Sequence, residues 1–188
     1  PAAADLDLPA RWIASRLNAC ADAATRNFDL HRSDQTADEL YNFWWDDFCD
    51  WYLELKKLDE DWSFAYTVYE KALRLLHPLM PFITEELWQR LGVEGRSIAV
   101  ARYPVYDAAE EDREAEAEMA TLKEIVTSAR ATRADNNVDQ KQVVEGILYA
   151  RNRAFHVAQA NETAISRLAR VKLDLRSEAP PGVDAEFV

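Results

Sequence analysis

Apolar side chains recur at intervals of three and four residues along the first half of the chain, which is the spacing of one helix face. Four stretches show this pattern. Their apolar positions are Trp12, Ile13, Leu17, Cys20, Ala21 and Ala24; Leu40, Tyr41, Trp44, Phe48, Trp51, Tyr52 and Leu55; Trp62, Ala65, Val68, Tyr69, Ala72 and Leu76; and Phe82, Ile83, Leu87 and Trp88. The pattern predicts amphipathic helices with short links, which form an antiparallel bundle.

Glycine and proline are absent between Pro9 and Pro78, and the first glycine of the chain is Gly92. The residues that most often interrupt helices are therefore missing, so long helices with polar joints such as "NFDLHRSDQTAD" are expected. Pro9 suits the first turn of the first helix, where a missing N–H costs nothing. Gly92 suits the position just past the last helix.

Two prolines interrupt the helical pattern within "LHPLMPFITEELWQRL". Pro78 disfavours α-helical geometry at His77 and is expected to end the third helix there. Pro81 is expected in the first turn of the fourth helix. The sequence thus predicts a rigid elbow at His77, Pro78 and Pro81, with the His77 side chain bonding a freed backbone carbonyl rather than taking part in catalysis.

Large aromatic residues dominate the second stretch, and their interpretation has two alternatives. Exposed aromatic rings can stack on nucleic-acid bases. At helical spacing on an amphipathic helix, however, such rings more often form the core. We therefore predict that the following residues are core: Trp44, Phe48, Trp51, Tyr52 and Trp88.

The chain changes character after residue 94. Residues 95–106, "GRSIAVARYPVY", are predicted to form an extended linker, and residues 107–135 one helix whose acidic start and basic end suit the helix dipole. "QVVEGILYA" and "KLDLRS" are strand-like, "ETAISRLARV" predicts a short helix, and "PPGVDAEFV" suits the start of another strand. The expected fold is mainly α: a helix bundle over 1–94, then the linker, then a truncated α+β region over 107–188.

Charge and composition limit the classes of partner. The chain has 34 acidic and 22 basic residues and a net charge of −12, which argues against non-specific coating of nucleic acid. No apolar run approaches the roughly 20 residues of a membrane span, so no membrane partner is expected. No export signal is visible at the N-terminus, and a cytoplasmic location is expected.

No active site is predicted in this chain. The sequence contains no glycine-rich phosphate loop, no metal-ligand cluster and no nucleophile with a suitable base. Glu85 and Glu86 are adjacent, so on a helix they point about a hundred degrees apart and do not suit paired acid–base chemistry. Cys20 and Cys49 are expected to be buried thiols, with a disulfide as the alternative. We therefore expect no catalytic residue, metal or cofactor.

Several motifs follow one another in a specific order. They are "RWIASRLN", "LYNFWWDDFCDWYLELKK", "LRLLHPLMPFITEELWQRL", "SIAVARYP" and "EIVTSARATRADNNV". This order resembles the anticodon-binding region of class I aminoacyl-tRNA synthetases for branched aliphatic amino acids, from about Arg11 to the end. Within that group, "FCDWYLELKK" is most similar to the valine–tRNA ligases. The chain departs from the family pattern at "DQKQ", where prolines are usual, and in its polar second joint.

The resemblance implies a fragment that positions tRNA, with tRNA(Val) as the partner and with no DNA partner. It implies that ATP binding, valine activation and editing belong to other domains of a parent synthetase, so the chain itself should be inactive. It also implies a preceding bundle helix and a following C-terminal coiled coil. The alternatives are the same region of an isoleucine or leucine enzyme, and a freestanding helical interaction protein.

Five basic residues are candidates for contacts with tRNA phosphates. Arg11 and Arg16 lie near the start of the first helix, and Arg130, Arg133 and Lys141 lie near the predicted join of helix and strand. Such contacts would strengthen binding to all tRNA sequences alike. The alternative for each residue is solvated surface or an ion pair within the chain.

Overall fold

The computed structural model describes residues 6–58, 61–93 and 95–178 of the chain. It divides into two compact units, with the boundary after Arg113. Helices make up most of both units, which confirms the predicted mainly α class. The strand predicted in residues 180–188 lies outside the described part of the chain.

The N-terminal unit is built from helices. They are α1 (Leu8–Asp29), α2 (Ser33–Asn42), a π-helix (Phe43–Tyr52), α3 (Leu53–Lys56), α4 (Ser63–Leu76) and α5 (Pro81–Arg90), followed by 3₁₀ turns at Ile98–Val100 and Ala108–Glu110. Helix α1 begins as predicted, with Pro9 in its first turn. The Asp7 carboxylate caps it by accepting a 2.9 Å hydrogen bond from the Ala10 N–H.

The second predicted helix contains an unexpected π-helix. The Leu53 N–H donates to the carbonyl of Phe48, five residues back, which is the hydrogen bond that defines this wider helix. The wider turn places Phe43 and Phe48, also five residues apart, in a stacked contact with ring centroids 6.4 Å apart. The sequence pattern did not predict this segment, because apolar residues also occur at spacings of four within it.

The aromatic residues predicted as core differ in their burial. Phe48, Tyr52 and Trp88 are buried, whereas Trp44 and Trp51 are only half-buried. Trp44 packs edge-on against Phe48, with ring centroids 5.5 Å apart. Two further positions of the apolar stripes, Tyr41 and Trp62, are exposed.

The two prolines of the elbow have different effects. Pro81 stands in the first turn of α5, as predicted. The predicted end of the third helix is confirmed, because α4 ends at Leu76 and His77 is its C-cap. The expected cause was wrong, because His77 keeps helical angles of φ −53° and ψ −41°. Proline disfavours that geometry at the preceding residue without forbidding it. The turn that follows α4 departs from helical angles at Met80, the N-cap of α5, which has φ −132° and ψ 61°.

The His77 side chain contacts a hydroxyl rather than the predicted carbonyl. Its Nδ1 lies 2.8 Å from Thr84 Oγ1, and the Thr84 hydroxyl donates to the Met80 carbonyl at 2.8 Å. Because the hydroxyl proton is used in that bond, we assign the proton of the shared contact to His77 Nδ1. The buried Thr84 therefore joins the end of α4 to the start of α5.

The start of α5 exposes two residues that we expected to face the bundle. Phe82 is 90% exposed and Ile83 is 52% exposed, so that expectation was wrong. The buried side of the helix is formed by Thr84 and Trp88, which are four residues apart and share a face. The spacing of apolar residues in α5 therefore did not show which side of the helix packs against the core.

The segment predicted as an extended linker packs on the helices. Ile98 is buried in a cluster with Leu73 and Trp88. Further along, the Asn18 side-chain amide donates to the Asp107 carbonyl and accepts from the Asp107 N–H, both at 2.8 Å. The N-terminal unit therefore continues to Arg113, beyond the predicted bundle boundary at residue 94. The residues beyond 94 therefore pack against apolar side chains of the helices and provide hydrogen-bond partners for a polar one.

The C-terminal unit combines helices with a parallel strand pair. Its elements are α6 (Arg113–Asp135), β1 (Val144–Tyr149), α7 (Asn152–Ala160), α8 (Glu162–Ala169) and β2 (Val171–Arg176). The two described strands pair in parallel, with Val144 opposite Val171 and Tyr149 opposite Arg176. Both strands and α8 lie where the sequence predicted them. Helix α7 was not predicted, but parallel strands require a long crossover connection, and α7 forms part of it.

Candidate nucleic-acid interface

Charge is distributed unevenly between the two units. Residues 1–113 contain 22 acidic and 12 basic residues, whereas residues 114–178 contain ten of each. The N-terminal unit therefore carries most of the negative charge, and it repels a polyanion more strongly than the C-terminal unit does. Cations in the C-terminal unit are consequently better placed to contact phosphates.

Both candidate arginines of α1 form ion pairs within the N-terminal unit. Arg11 binds the Asp112 carboxylate through Nε at 2.8 Å and Nη2 at 3.1 Å, a bidentate arrangement. Arg16 Nε donates to Asp47 Oδ2 at 2.7 Å. A phosphate at either residue would have to compete with a carboxylate that is already bound, so these two residues are weaker candidates than their sequence positions suggest.

The Arg133 guanidinium is committed to the backbone of its own unit. It donates to the carbonyls of Arg170 at 2.9 Å, Asp139 at 2.9 Å and Gln142 at 2.7 Å. Arg133 is only 9% exposed. Its geometry is that of a structural link between the end of α6, the following loop and the start of β2, rather than that of a phosphate contact.

Three other cations surround the same region and point to solvent; we call Arg130, Lys141 and Arg170 the basic rim. Arg130 is exposed and donates through Nε to the Leu168 carbonyl at 3.1 Å. Arg170 is exposed and donates through Nη1 to the Gln140 carbonyl at 2.8 Å. The backbone bonds hold both guanidinium groups in place, and Arg170 keeps further N–H groups that no residue of the described ranges binds.

Lys141 completes the basic rim. Its backbone N–H donates to Asp139 Oδ1 at 2.7 Å, which fixes the loop. The side chain is exposed, and within the described ranges its ammonium makes no hydrogen bond or ion pair. The structure thus brings Arg130 and Lys141 together as predicted candidates and adds Arg170, which the sequence did not single out. Arg170 has a left-handed φ of 52°, a turn geometry that the sequence does not reveal at an arginine.

The thiols and possible metal ligands add no further chemistry to these surfaces. Cys20 and Cys49 are both free thiols, one buried and one half-buried. Burial raises the pKa of Cys20 to about 12, and burial together with the nearby Asp50 carboxylate raises the pKa of Cys49. Among residues 6–58, 61–93 and 95–178, no cluster of three or more His, Cys, Asp or Glu side chains could hold a metal ion. None of the described helices is long and apolar enough to span a membrane.

Residues 10–148 match the family model described as the anticodon-binding domain of tRNA ligase. The chain belongs to this family. The matched region runs from α1 to β1, and it includes Arg130 and Lys141 of the basic rim but not Arg170.

Valine–tRNA ligases are among the proteins that the chain is similar to. It is 51% identical over 178 residues to the valine–tRNA ligase of Solibacter usitatus, and this match covers 93% of this chain and 21% of that protein. It is 40% identical over 183 residues to that of Lactiplantibacillus plantarum, covering 92% of the chain and 21% of that protein. The chain thus spans about a fifth of the length of these relatives.

Proposed function

We propose that this chain is the tRNA-positioning part of a valine–tRNA ligase that acts on tRNA(Val) in the cytoplasm. The observation that carries the proposal is the 51% identity to a valine–tRNA ligase across 93% of the chain, combined with the family match over residues 10–148. The motif "FCDWYLELKK" favours valine over isoleucine or leucine. In this proposal, other domains of the parent enzyme bind ATP and activate valine.

The basic rim is the surface that best suits contact with tRNA phosphates. Arg130 and Arg170 are exposed and anchored to backbone carbonyls, and the Lys141 ammonium has no partner within the described ranges. The paired Arg11 and Arg16 would each have to give up a carboxylate partner first. Phosphate contacts position an RNA without reading its sequence, so the rim would contribute affinity rather than the choice of tRNA(Val).

The first experiment measures binding of tRNA(Val) transcript to the purified chain at several salt concentrations. We expect weak binding that weakens further as salt rises, because the chain has a net charge of −12 and few available cations. The double variant Lys141→Ala and Arg170→Ala should lower affinity and flatten the dependence of log K on log salt by about 1.4, since each lost contact contributes roughly 0.7 on a single-stranded nucleic acid.

Lys172→Ala provides the matched control. Lys172 is an exposed lysine of the same unit, but it faces Glu145 at 3.4 Å. This variant should leave the salt dependence unchanged. If the double variant and the control weaken binding equally, the basic rim does not contact the tRNA.

A second experiment tests the assignment to valine. The intact synthetase that contains this chain should aminoacylate tRNA(Val) with valine, whereas the chain alone should not catalyse valine-dependent exchange of pyrophosphate into ATP. Preferential charging with isoleucine or leucine would overturn the assignment. Tight, anticodon-dependent binding by the chain alone would show that it reads the anticodon without the rest of the enzyme.

A further inference from the structure

The outer face of α2 and the π-helix carries two exposed aromatic rings. Tyr41 is 61% exposed and Trp45 is 54% exposed. Their ring centroids lie 6.2 Å apart and the rings are tilted by 52°, so the two side chains form one continuous aromatic surface. Burial of a large aromatic ring stabilises a complex more than burial of most other side chains does. Exposed neighbouring rings therefore often mark an interaction surface.

Unpaired carboxylates flank these rings. Asp34, Asp38, Asp46 and Asp50 are all exposed, and no hydrogen bond or ion pair involves their side chains within the described ranges. By helical spacing, Asp34 and Asp38 share a face with Tyr41, and Asp50 follows Trp45 by five residues, about one turn of a π-helix. We call Asp34, Asp38, Tyr41, Trp45, Asp46 and Asp50 the acidic aromatic face.

Elsewhere in the described part of the N-terminal unit, eight carboxylates are paired with cations. These ion pairs are Arg11–Asp112, Arg16–Asp47, Asp22–Arg26, Glu54–Lys57, Glu70–Arg74, Lys71–Glu110, Glu86–Arg90 and Glu111–Arg113. The acidic aromatic face differs from these pairs: it combines two exposed rings with four carboxylates that have no ion pair within the described ranges.

The charge of this face decides which class of macromolecule it suits. Exposed rings of an RNA-binding protein can stack on bases, but stacking surfaces are normally combined with cations that hold the backbone. Here the rings are surrounded by carboxylates, which repel phosphates. A lysine or arginine side chain, in contrast, gains from both features, because a cation over an aromatic ring and beside a carboxylate is attracted by each.

We infer that the acidic aromatic face binds a surface rich in lysine and arginine that belongs to another part of the same synthetase. This inference rests on the proposed function, in which the chain is one region of a longer enzyme. The relatives that match it devote about a fifth of their length to this region. Tethering in one chain raises the effective concentration of the partner surface, so a contact made of a few cation–π and ionic interactions is sufficient.

The test compares the solvent accessibility of Trp45 and Tyr41 in two proteins. The purified chain and the intact synthetase are exposed to hydroxyl radicals without tRNA, and oxidation of each ring is measured by mass spectrometry. We expect oxidation of both rings to be several-fold slower in the intact synthetase. Equal oxidation in the two proteins would overturn the inference. Slower oxidation that appears only after tRNA is added would assign the face to RNA instead.

A charge variant of the intact synthetase tests the chemistry of the partner. The triple substitution Asp38→Asn, Asp46→Asn and Asp50→Asn keeps the shape of these exposed side chains and should restore fast oxidation of Trp45. Glu86→Gln is the control, because Glu86 is an exposed helical carboxylate of the same unit that pairs with Arg90. If the triple variant protects Trp45 as well as the control does, the partner surface is not cationic. Aminoacylation of tRNA(Val) tests the proposed function separately, so failure of either idea can be recognised.

Discussion

Trp88 on α5 donates a 2.8 Å hydrogen bond from its indole Nε1 to the Glu70 carboxylate on α4. The other oxygen of that carboxylate accepts from Arg74 through Nε at 3.1 Å and Nη2 at 2.8 Å. Arg74 Nη1 donates in turn to the Arg102 carbonyl at 2.7 Å. One largely buried carboxylate thus joins two helices to the segment that follows them.

Glu70→Ala should lower the free energy of unfolding by about 1–3 kcal/mol, because it leaves the buried indole N–H of Trp88 without an acceptor. Denaturant unfolding of the chain measures the change. Glu86→Ala is the control: it removes an exposed pair with Arg90 on α5 and should cost only about 0.3–0.5 kcal/mol. Equal losses for the two variants would show that the Trp88–Glu70 bond does not stabilise the unit.

Asn18 is a second buried link, and its removal should also destabilise the N-terminal unit. Asn18→Ala leaves both the N–H and the carbonyl of Asp107 without their partners. We expect a loss of about 2 kcal/mol in the free energy of unfolding, because each of the two lost hydrogen bonds contributes about 1 kcal/mol. Hydrogen exchange should also show faster exchange at the Asp107 amide. Protection of that amide as strong as in the unmodified chain would contradict the prediction.

Helical spacing predicted most helices of the N-terminal unit and the buried face of α1, but it did not predict the buried face of α5. Phe82 and Ile83 have the same spacing as core residues, yet Thr84 and Trp88 form the buried side of α5. The difference arises from the angle at which the chain leaves Met80, and that angle depends on contacts between helices. The π-helix was missed for a related reason, since spacings of four and five residues overlap within a short aromatic segment.

The candidate site could be predicted only in part, because sequence shows where cations are but not what they bind. Arg11 and its partner Asp112 are separated by 101 positions, so no local pattern reveals their ion pair. Arg133 has the same chemistry as Arg130, but it is buried against three carbonyls. Lys141 was recognisable as an exposed loop residue because it stands beside polar neighbours.

Arg133 and Lys141 should therefore differ in what their substitution changes. Arg133→Met leaves three backbone carbonyls without a donor and should lower the unfolding temperature of the chain markedly. Lys141→Ala should leave that temperature unchanged and lower tRNA affinity. Calorimetry and filter binding on both variants measure the two properties. If the Arg133→Met chain is as stable as the original and binds tRNA more weakly, Arg133 is a phosphate contact rather than a structural link.

Glu85 should make the stability of the N-terminal unit depend on pH. The Ser97 hydroxyl donates to Glu85 Oε2 at 2.6 Å and Gln89 donates to Oε1 at 2.7 Å, and these bonds hold the pKa of Glu85 below its ordinary value of 4.5. Because the folded-state pKa is depressed, the stabilisation is fully present above about pH 4.5 and is lost as pH falls through the folded-state pKa.

The substitution Ser97→Ala tests this prediction, since it removes the bond that depresses the pKa most. The difference in unfolding free energy between the original chain and Ser97→Ala should be constant at neutral pH and should shrink below about pH 4.5. The part that remains in acid reflects the other bond of Ser97, whose Oγ accepts from the Ala99 N–H at 3.1 Å. In a Glu85→Gln background the same substitution should give a difference that does not change with pH. A pH-dependent difference in that background would assign the effect to another carboxylate.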